Sequence, residues 1–403
     1  MNKVLVIGGG ASGIMAALSA AEDKNNKVIL LERQARVGRK LLATGNGRCN
    51  LTNIYAEGNN YHGEQADFAL PALNAFPPEK TLEFFHSLGL LTVTESSGRV
   101  YPLSDSANSV LDVLRFALDR SGVELRSSCS AKEIRKNKAG GYTVITDSGK
   151  IDSDFLIVAC GGAAGAKLGG VMDGYELLKP LGHKRTKLLP SLVQLICEGD
   201  FPRSLKGVRA DCGIKLVCGG ETEAESAGEI QFTENGISGP VSFEISRAAS
   251  FAGEGDIHID FLRSYEQSAV ENFIRLRCGT YPELEAAELL TGMLHNRLGR
   301  MLVKSAGIGA AAPLKSLSDA DIQKISAFCK DFVLKLKGTE SFDKAQVTAG
   351  GIKTTGFNPE TMESWFMPGL FVCGELLDID GDCGGFNLQW AWASGHLAGR
   401  LGK

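Results

Sequence analysis

Residues 4–7 form a short apolar, largely β-branched run that stops at three consecutive glycines. Residues 14–21 then carry small and apolar side chains in a helical pattern, and residues 28–31 form a second apolar run closed by Glu32. That order predicts a strand, a tight glycine turn, a helix and a second strand. Residues 36–53, RVGRKLLATGNGRCNLTN, are polar, glycine-rich and too long for a simple connection. Loops of this kind are usually functional or disordered. Residues 70–90 read as helix interrupted at Pro77 and Pro78, and 106–120 as a further helix. Strands are predicted at 123–125, 142–146 and 155–160, the last ending at Gly161 and Gly162.

After Pro190 short apolar runs at 192–196, 213–218, 229–233 and 256–261 follow one another with no long helix expected among them. This texture predicts a β-barrel-like insertion over 189–263. Residues 264–342 read as a helical subdomain. In its last helix Ser318 and Asp321 form a capping-box pattern, and Ile322, Ile325, Cys329, Phe332, Val333 and Leu336 recur at helical spacing as a core stripe. From Ala345 the first texture returns: a strand over 370–375, a glycine-rich turn and a small-residue helix over 387–401. The fold class expected is α/β, a Rossmann-type nucleotide-binding domain made of 1–188 and 343–403 and interrupted by the insertion.

Glycine is over-represented, 49 of 403 residues, or about 12% against a usual ~7%. The glycines occur in pairs and triplets within apolar sequence, which favours backbone packed close to something. Lysine and arginine number 43 against 47 aspartates and glutamates, a net charge of -4. No general attraction to nucleic acid or to an anionic membrane follows from that balance. The three glycines break up the N-terminal apolar run, which argues against a signal peptide, and no other run approaches a membrane span. The ten cysteines include no CxxC, and Cys212 and Cys218 are separated by five residues. They read as small buried thiols of a reducing, cytoplasmic setting. The six histidines contain no HExxH and no pair three or four apart, so no metal site is expected. The sequence leaves the oligomeric state open.

The chemistry begins at Gly8-x-Gly10-x-x-Gly13, which sits between the first predicted strand and helix. Gly8 permits the tight turn, Gly10 lets a pyrophosphate approach the helix N-terminus, and Gly13 lets helix and sheet pack closely. Glu32, 24 residues after Gly8, stands where a carboxylate accepts hydrogen bonds from ribose hydroxyls. The motif alone leaves NAD and FAD open. In LFVCGELLDIDGDCGGFNLQWAWASG, Glu375 follows a buried strand and a glycine-rich turn feeds a helix near Asn387. A helix N-terminus there suits the N1 and C2 carbonyl of a flavin, where negative charge develops on reduction. The acidic residues at 375, 378, 380 and 382 lack EF-hand spacing.

GGGASG, GRKLLATGNGRCNLTN, GRVYPLSDSANSV, GYELLKPLGH, PSLV, FTENGISGP, VTAGGI and CGELLDIDGDCGGFNLQWAWASG occur in this order along nearly the whole chain. The sequence thereby resembles the bacterial HI0933-like flavoproteins, which include aminoacetone oxidases and bile-acid enone reductases. The resemblance implies a two-dinucleotide-type flavoprotein fold with a β-barrel insertion, a helical subdomain and bound FAD. It implies that Gly8, Gly10, Ser12 and Gly13 hold the pyrophosphate, with Ala11 also in the cofactor-binding set, and that Glu32 holds the ribose. Gly161 and Gly162 would lie close to FAD, Gly374 and Glu375 at its pyrophosphate or ribitol, and Asn387 and Leu388 would present amides to the ring. Arg33, Ala131, Asp380 and Gly385 complete the cofactor-binding set, with Arg39, Lys40, Gly47 and Asn50 from the long loop. Cys49 and Arg48 lie in that same loop, which is expected to line the flavin and the active site. Cys160 departs from a family threonine, Glu234 from a family histidine and Gln194 from a family proline, and 163–172 also differ. These departures bear on substrate and catalysis more than on FAD.

Lys40 and Arg48 are the expected catalytic cations, placing positive charge near reduced flavin or a substrate carbonyl; the alternative is that they bind FAD phosphate or ordinary carboxylates. Cys49 lacks a CxxxxC partner and reads as a buried structural thiol. Glu234 is either an acid or base or a solvated loop residue, and Tyr101, Trp390 and Trp392 are either ring neighbours or core. The expected function is reduction of an activated double bond in a small apolar organic substrate, with NADH or NADPH as a transient hydride donor acting through flavin N5. The chain has no second clear dinucleotide motif for that donor. The alternatives are an FAD-dependent amine oxidase producing hydrogen peroxide and a flavin-binding or RNA-modifying partner protein.

Overall fold

The computed structural model describes residues 1–138 and 140–403. The chain forms two compact units, Met1–Leu189 with Ala345–Lys403, and Pro190–Lys344. Each has its own apolar core.

The first unit opens with β1 (Asn2–Ile7), α1 (Ala11–Glu22) and β2 (Asn26–Leu31). The helices α2 (Leu70–Ala75), α3 (Pro78–Ser87) and α4 (Ala107–Ser121) follow, with Pro78 opening α3 where the sequence placed the interruption. Proline at the first helical position loses no hydrogen bond, because that N–H has no intrahelical partner. Next come β3 (Glu124–Arg126) and β4 (Phe155–Val158).

In the second unit the strands are β5 (Leu195–Cys197), β6 (Arg209–Cys218), β7 (Glu221–Phe232) and β8 (Gly236–Ser238). Helix α5 (Pro240–Ala252) precedes β9 (Gly255–Asp260), and α6 (Gln267–Thr280), α7 (Asn296–Ser305) and α8 (Asp319–Lys330) lead to β10 (Phe332–Thr339). The six strands close a barrel in the order β5-β8-β7-β6-β9-β10, with β10 returning to β5 at Thr339 and Leu195. Ile214, Leu216, Ile230, Phe232, Ile257 and Ile259 are buried in this unit's core.

Two elements differ from the sequence expectation. The stripe through Phe332 and Leu336 does not continue the helix, because α8 stops at Lys330 and FVLKLK alternates buried and exposed positions as a strand. Phe332 and Leu336 satisfy both periods, but Val333 is exposed and Leu334 buried, which only a period of two allows. The barrel thus takes its last strand from beyond the helices, past residue 263. The second difference is α5, a 13-residue helix inside the expected run of strands. Pro240 in its first turn and buried Val241, Ile245 and Ala249, four apart, give it a start and one apolar face.

The first unit resumes after residue 345 with β11 (Leu370–Val372) and α9 (Phe386–Gly399). Its main sheet is parallel, in the order β11-β4-β1-β2-β3. Strands in parallel sheets are covered on both faces, which accounts for the unbroken apolar runs. From central β1 the chain goes first to β2 on one side and later to β4 on the other. That reversal opens a crevice at the carboxyl ends of the strands, where ligands bind in such sheets. Helix α9 packs on α1 through missing side chains: a methyl carbon at Gly395 would lie 2.4 Å from the Ser12 carbonyl oxygen, and one at Gly399 would lie 2.5 Å from that of Ala16.

Candidate dinucleotide site

The glycine turn after β1 divides its three positions between packing and open space. Gly8 has φ 108°, and a Cβ there would lie 2.4 Å from the Ala159 carbonyl oxygen; at Gly13 it would lie 1.8 Å from that of Gly8. These two positions exclude any side chain. At Gly10 a Cβ would meet nothing within 4 Å, and no side chain caps α1. The first N–H groups of a helix have no intrahelical partner and carry its positive end, so this opening is suited to an anion. Ala11 begins the helix and Ser12 is buried beside it.

Glu32, expected to read a ribose, also fastens the turn. Its Oε2 accepts from Gly9 N at 2.9 Å and its Oε1 from Gln34 N at 2.7 Å. Each carboxylate oxygen keeps capacity for a further donor. Around it Arg33 donates to the Gly169 carbonyl at 3.3 Å and Arg39 to Gln34 Oε1 at 3.0 Å. Ala131 lies opposite Thr146 in a separate antiparallel sheet, two residues past Cys129, whose N–H donates to the Glu32 carbonyl.

A second cluster joins residues far apart in the chain. Lys40 Nζ lies 2.6 Å from Glu375 Oε2, with the two side chains 31% and 20% exposed. Glu375 Oε1 accepts from Thr348 N at 2.8 Å, and Thr348 Oγ1 accepts from Ala164 N at 3.0 Å. Gly162 faces this group, since a Cβ on it would lie 2.4 Å from Thr348 Oγ1; Gly161, at φ 71°, faces open space. Gly374 N donates to Ser394 Oγ at 3.0 Å, and its carbonyl accepts from Trp390 Nε1 at 3.1 Å. VTAGGI contained Thr348, but only its contacts single that residue out.

The long loop runs to the N-terminus of α9. Gly47 takes φ 86° and Cys49 φ 63°. Burial pushes the Cys49 thiol up to about 12, so it stays protonated and unreactive near neutral pH. Arg48 has partners of its own: it lies 3.3 Å from Glu95, 3.6 Å from Asp105 and 4.0 Å over the centre of the Tyr101 ring. Beyond it the loop is stitched to α9 and its first turn. Trp392 Nε1 donates to the Leu51 carbonyl at 2.9 Å, Thr52 Oγ1 to Gln389 Oε1 at 2.7 Å, and Asn53 Nδ2 to the Gly384 carbonyl at 3.0 Å. The two tryptophans are therefore buried core with satisfied indoles. Gly385, at φ 105°, caps α9, while Asn387 uses its side chain on Gly381 and Asp382. Leu388 is half-buried against the core, and Asp380 is buried opposite His62 in a short ladder.

Glu234 belongs to the other unit. It holds Arg203 at 2.7 Å and Lys206 at 2.9 Å, and these two cations lower its carboxyl to about 2. A carboxylate so paired is not a proton shuttle near neutral pH. Among the described residues no group of three or more His, Cys, Asp or Glu side chains is arranged to hold a metal ion, and no helix is long and apolar enough to cross a membrane.

The sequence pattern of the HI0933-like protein Rossmann domain matches residues 2–401. The chain belongs to the HI0933-like family. This HI0933-like protein is 40% identical over 405 residues to the 3-dehydro-bile acid delta(4,6)-reductase of Clostridium scindens, covering 99% of this chain and 98% of that one. It is 28% identical over 391 residues to the ribosomal RNA dihydrouridine synthase of Escherichia coli, covering 97% and 95% of the two chains. Its fold is similar to that of 3-ketosteroid delta1-dehydrogenase from Sterolibacterium denitrificans, with a TM-score of 0.52, 13% identity and 99% coverage of both chains.

Proposed function

We propose that this protein is an FAD-dependent oxidoreductase that reduces an activated carbon–carbon double bond in a small apolar molecule, with NADH or NADPH as electron source. A dinucleotide is carried by one observation: the uncapped N-terminus of α1 faces open space at Gly10, while Gly8 and Gly13 are closed by packing. A pyrophosphate needs that division. The choice of FAD over NAD is supported by the uncapped N-terminus of α9, which suits a flavin ring. The substrate class, conjugated 3-oxo compounds of the bile-acid type, is supported by the name of the relative at 40% identity.

When bound, FAD supplies two-electron transfer between nicotinamide and substrate through N5 of its ring. The protein's part is holding and orienting. The Gly8 to Gly13 turn receives the pyrophosphate, and Glu32 offers its remaining acceptor capacity to the ribose. The α9 amides at Asn387 and Leu388 would hold the flavin ring at the edge where charge develops. Gly161, which faces open space, would let backbone approach the cofactor, while Gly162 packs on Thr348 and Gly374 on Ser12, with Thr348 and Glu375 fixing that edge. Lys40 is a positioned donor balanced by Glu375, and Arg48 is a second cation balanced by Glu95 and Asp105.

The test is anaerobic. The purified protein is given NADH or NADPH while the flavin absorbance is followed, first alone and then with a 3-oxo-4,6-diene bile acid. Bleaching by one nucleotide, followed by recovery of colour and loss of the conjugated absorbance, is expected. Bleaching by amines alone, with peroxide formed in air, would replace the reductase by an oxidase. Dihydrouridine formed in ribosomal RNA with the bile acid untouched would move the substrate to RNA. A protein that cannot be reconstituted with FAD would remove the cofactor assignment.

A further inference from the structure

Asn50 stands out in the stitched segment 50–53. Leu51, Thr52 and Asn53 each have a partner on α9 or in the turn before it. Asn50 is 8% exposed, yet its Oδ1 has no hydrogen-bond partner among the described residues. A buried amide oxygen left without a donor is costly, and a segment so fully paired otherwise has no reason to carry one. The oxygen faces the start of α9: a Cβ on Gly385, the N-cap residue, would lie 2.9 Å from it. No side chain caps this 14-residue helix. One acceptor that lacks a donor therefore lies beside a helix terminus whose N–H groups lack acceptors.

A ligand edge satisfying both must present a donor next to an acceptor. Phosphate and carboxylate present acceptors only and would leave Asn50 unmatched. An imide edge, O=C–N–H, meets both needs, and the isoalloxazine ring of FAD has one in its C2 carbonyl and N3–H. Resting on the FAD assignment above, we infer that Asn50 reads the imide edge of the flavin: its Oδ1 accepts from N3–H while the N-terminal amides of α9 donate to the adjacent carbonyl. The local backbone supports this placement. Cys49 turns the chain with φ 63°, and Gly385, at φ 105°, lets the start of α9 pack against this segment, since a Cβ there would lie 2.5 Å from the Thr52 carbonyl oxygen.

The experiment compares apoprotein affinity for FAD and for FAD methylated at N3, by fluorescence titration. The wild type is expected to prefer FAD by about tenfold or more, the scale of a lost hydrogen bond with a buried acceptor left unpaired. Asn50→Ala removes the acceptor and opens room for the methyl group, so its preference should fall to about twofold or less. Should that variant fail to fold, Asn50→Leu replaces the amide with a side chain of similar size, and the same loss of preference is expected with FAD itself bound more weakly. A wild type that binds both flavins equally would overturn the inference, as would variants that keep the full preference. Failure of the FAD assignment is a separate outcome, in which the wild type binds neither flavin.

Discussion

Lys40 and Glu375 lie 335 residues apart in sequence and meet at 2.6 Å, and the carboxylate that takes the lysine on one oxygen takes the Thr348 amide on the other. Glu375 therefore ties three segments of the first unit together. Lys40→Met and Glu375→Gln, measured by urea unfolding alone and combined, should show a coupling of about 1 kcal/mol, typical of a half-exposed ion pair. Both variants should also weaken FAD binding. A coupling near zero would mean that the pair orients groups without stabilising the fold.

The glycine turn separates stability from binding. Gly13→Ala would drive a methyl into the Gly8 carbonyl and should destabilise the protein by about 3 kcal/mol or more. Gly10→Ala meets no protein atom. Its apoprotein melting temperature should match the wild type while FAD affinity falls about tenfold or more. Thermal melts of apoprotein, paired with FAD titrations, check both expectations.

One buried and one half-buried histidine make the fold sensitive to acid. Burial lowers His183 and His396 from 6.5 to about 4 each. His183 is stacked on Phe357, and His396 on Phe76 with Ser19 Oγ 2.8 Å from its Nδ1. Because these folded values lie below the unfolded ones, their contribution is complete above pH 6.5 and is lost as pH falls toward 4. By pH 5 the loss should reach at most about 2 kcal/mol per histidine. Urea titrations at pH 7 and pH 5 should show it, and His183→Phe should flatten the dependence.

The cysteines act at the other end of the scale. Burial raises Cys49, Cys160, Cys197, Cys212, Cys329 and Cys373 from 9.0 to about 12. Their folded values exceed the unfolded ones, so their contribution is full below pH 9 and disappears as pH rises toward 12. At pH 8 iodoacetamide should leave these six untouched in the native protein and label them after denaturation. Rapid native labelling of Cys49 would contradict its placement.

Glu234 offers a negative control. It is exposed and held by Arg203 and Lys206 in the barrel unit. Glu234→Gln should leave kcat, KM and their pH profiles unchanged within error. A shifted pH optimum would return this residue to the chemistry.

What the sequence revealed follows from how local each feature is. The turn from Gly8 to Gly13 is built by neighbouring residues, so its spacing announced both the strand–turn–helix unit and the open position at Gly10. The start of α9 was equally visible, because the glycines before it mark a turn that other side chains resist. Thr348 was not visible, since its importance comes from Glu375 and Ala164, which sequence cannot bring beside it. Lys40 and Arg48 looked alike within one loop, yet one reaches Glu375 and the other stacks on Tyr101. The stretch after Lys330 failed for another reason: two of its apolar residues fit both a helix and a strand, and barrel closure decided between them.

The contact of α1 with α9 has a consequence for synthesis. The helix that packs on α1 through Gly395 and Gly399 is synthesised long after the glycine turn. The Ser19 to His396 contact spans 377 residues, so at ordinary elongation rates the first helix waits roughly 20–75 s for its partner. The second unit, a continuous stretch from Pro190 to Lys344, has all its strands well before then. A nascent chain halted before residue 386 would thus carry a finished barrel and an unfinished cradle, its small-residue helix uncovered and open to holding by a chaperone.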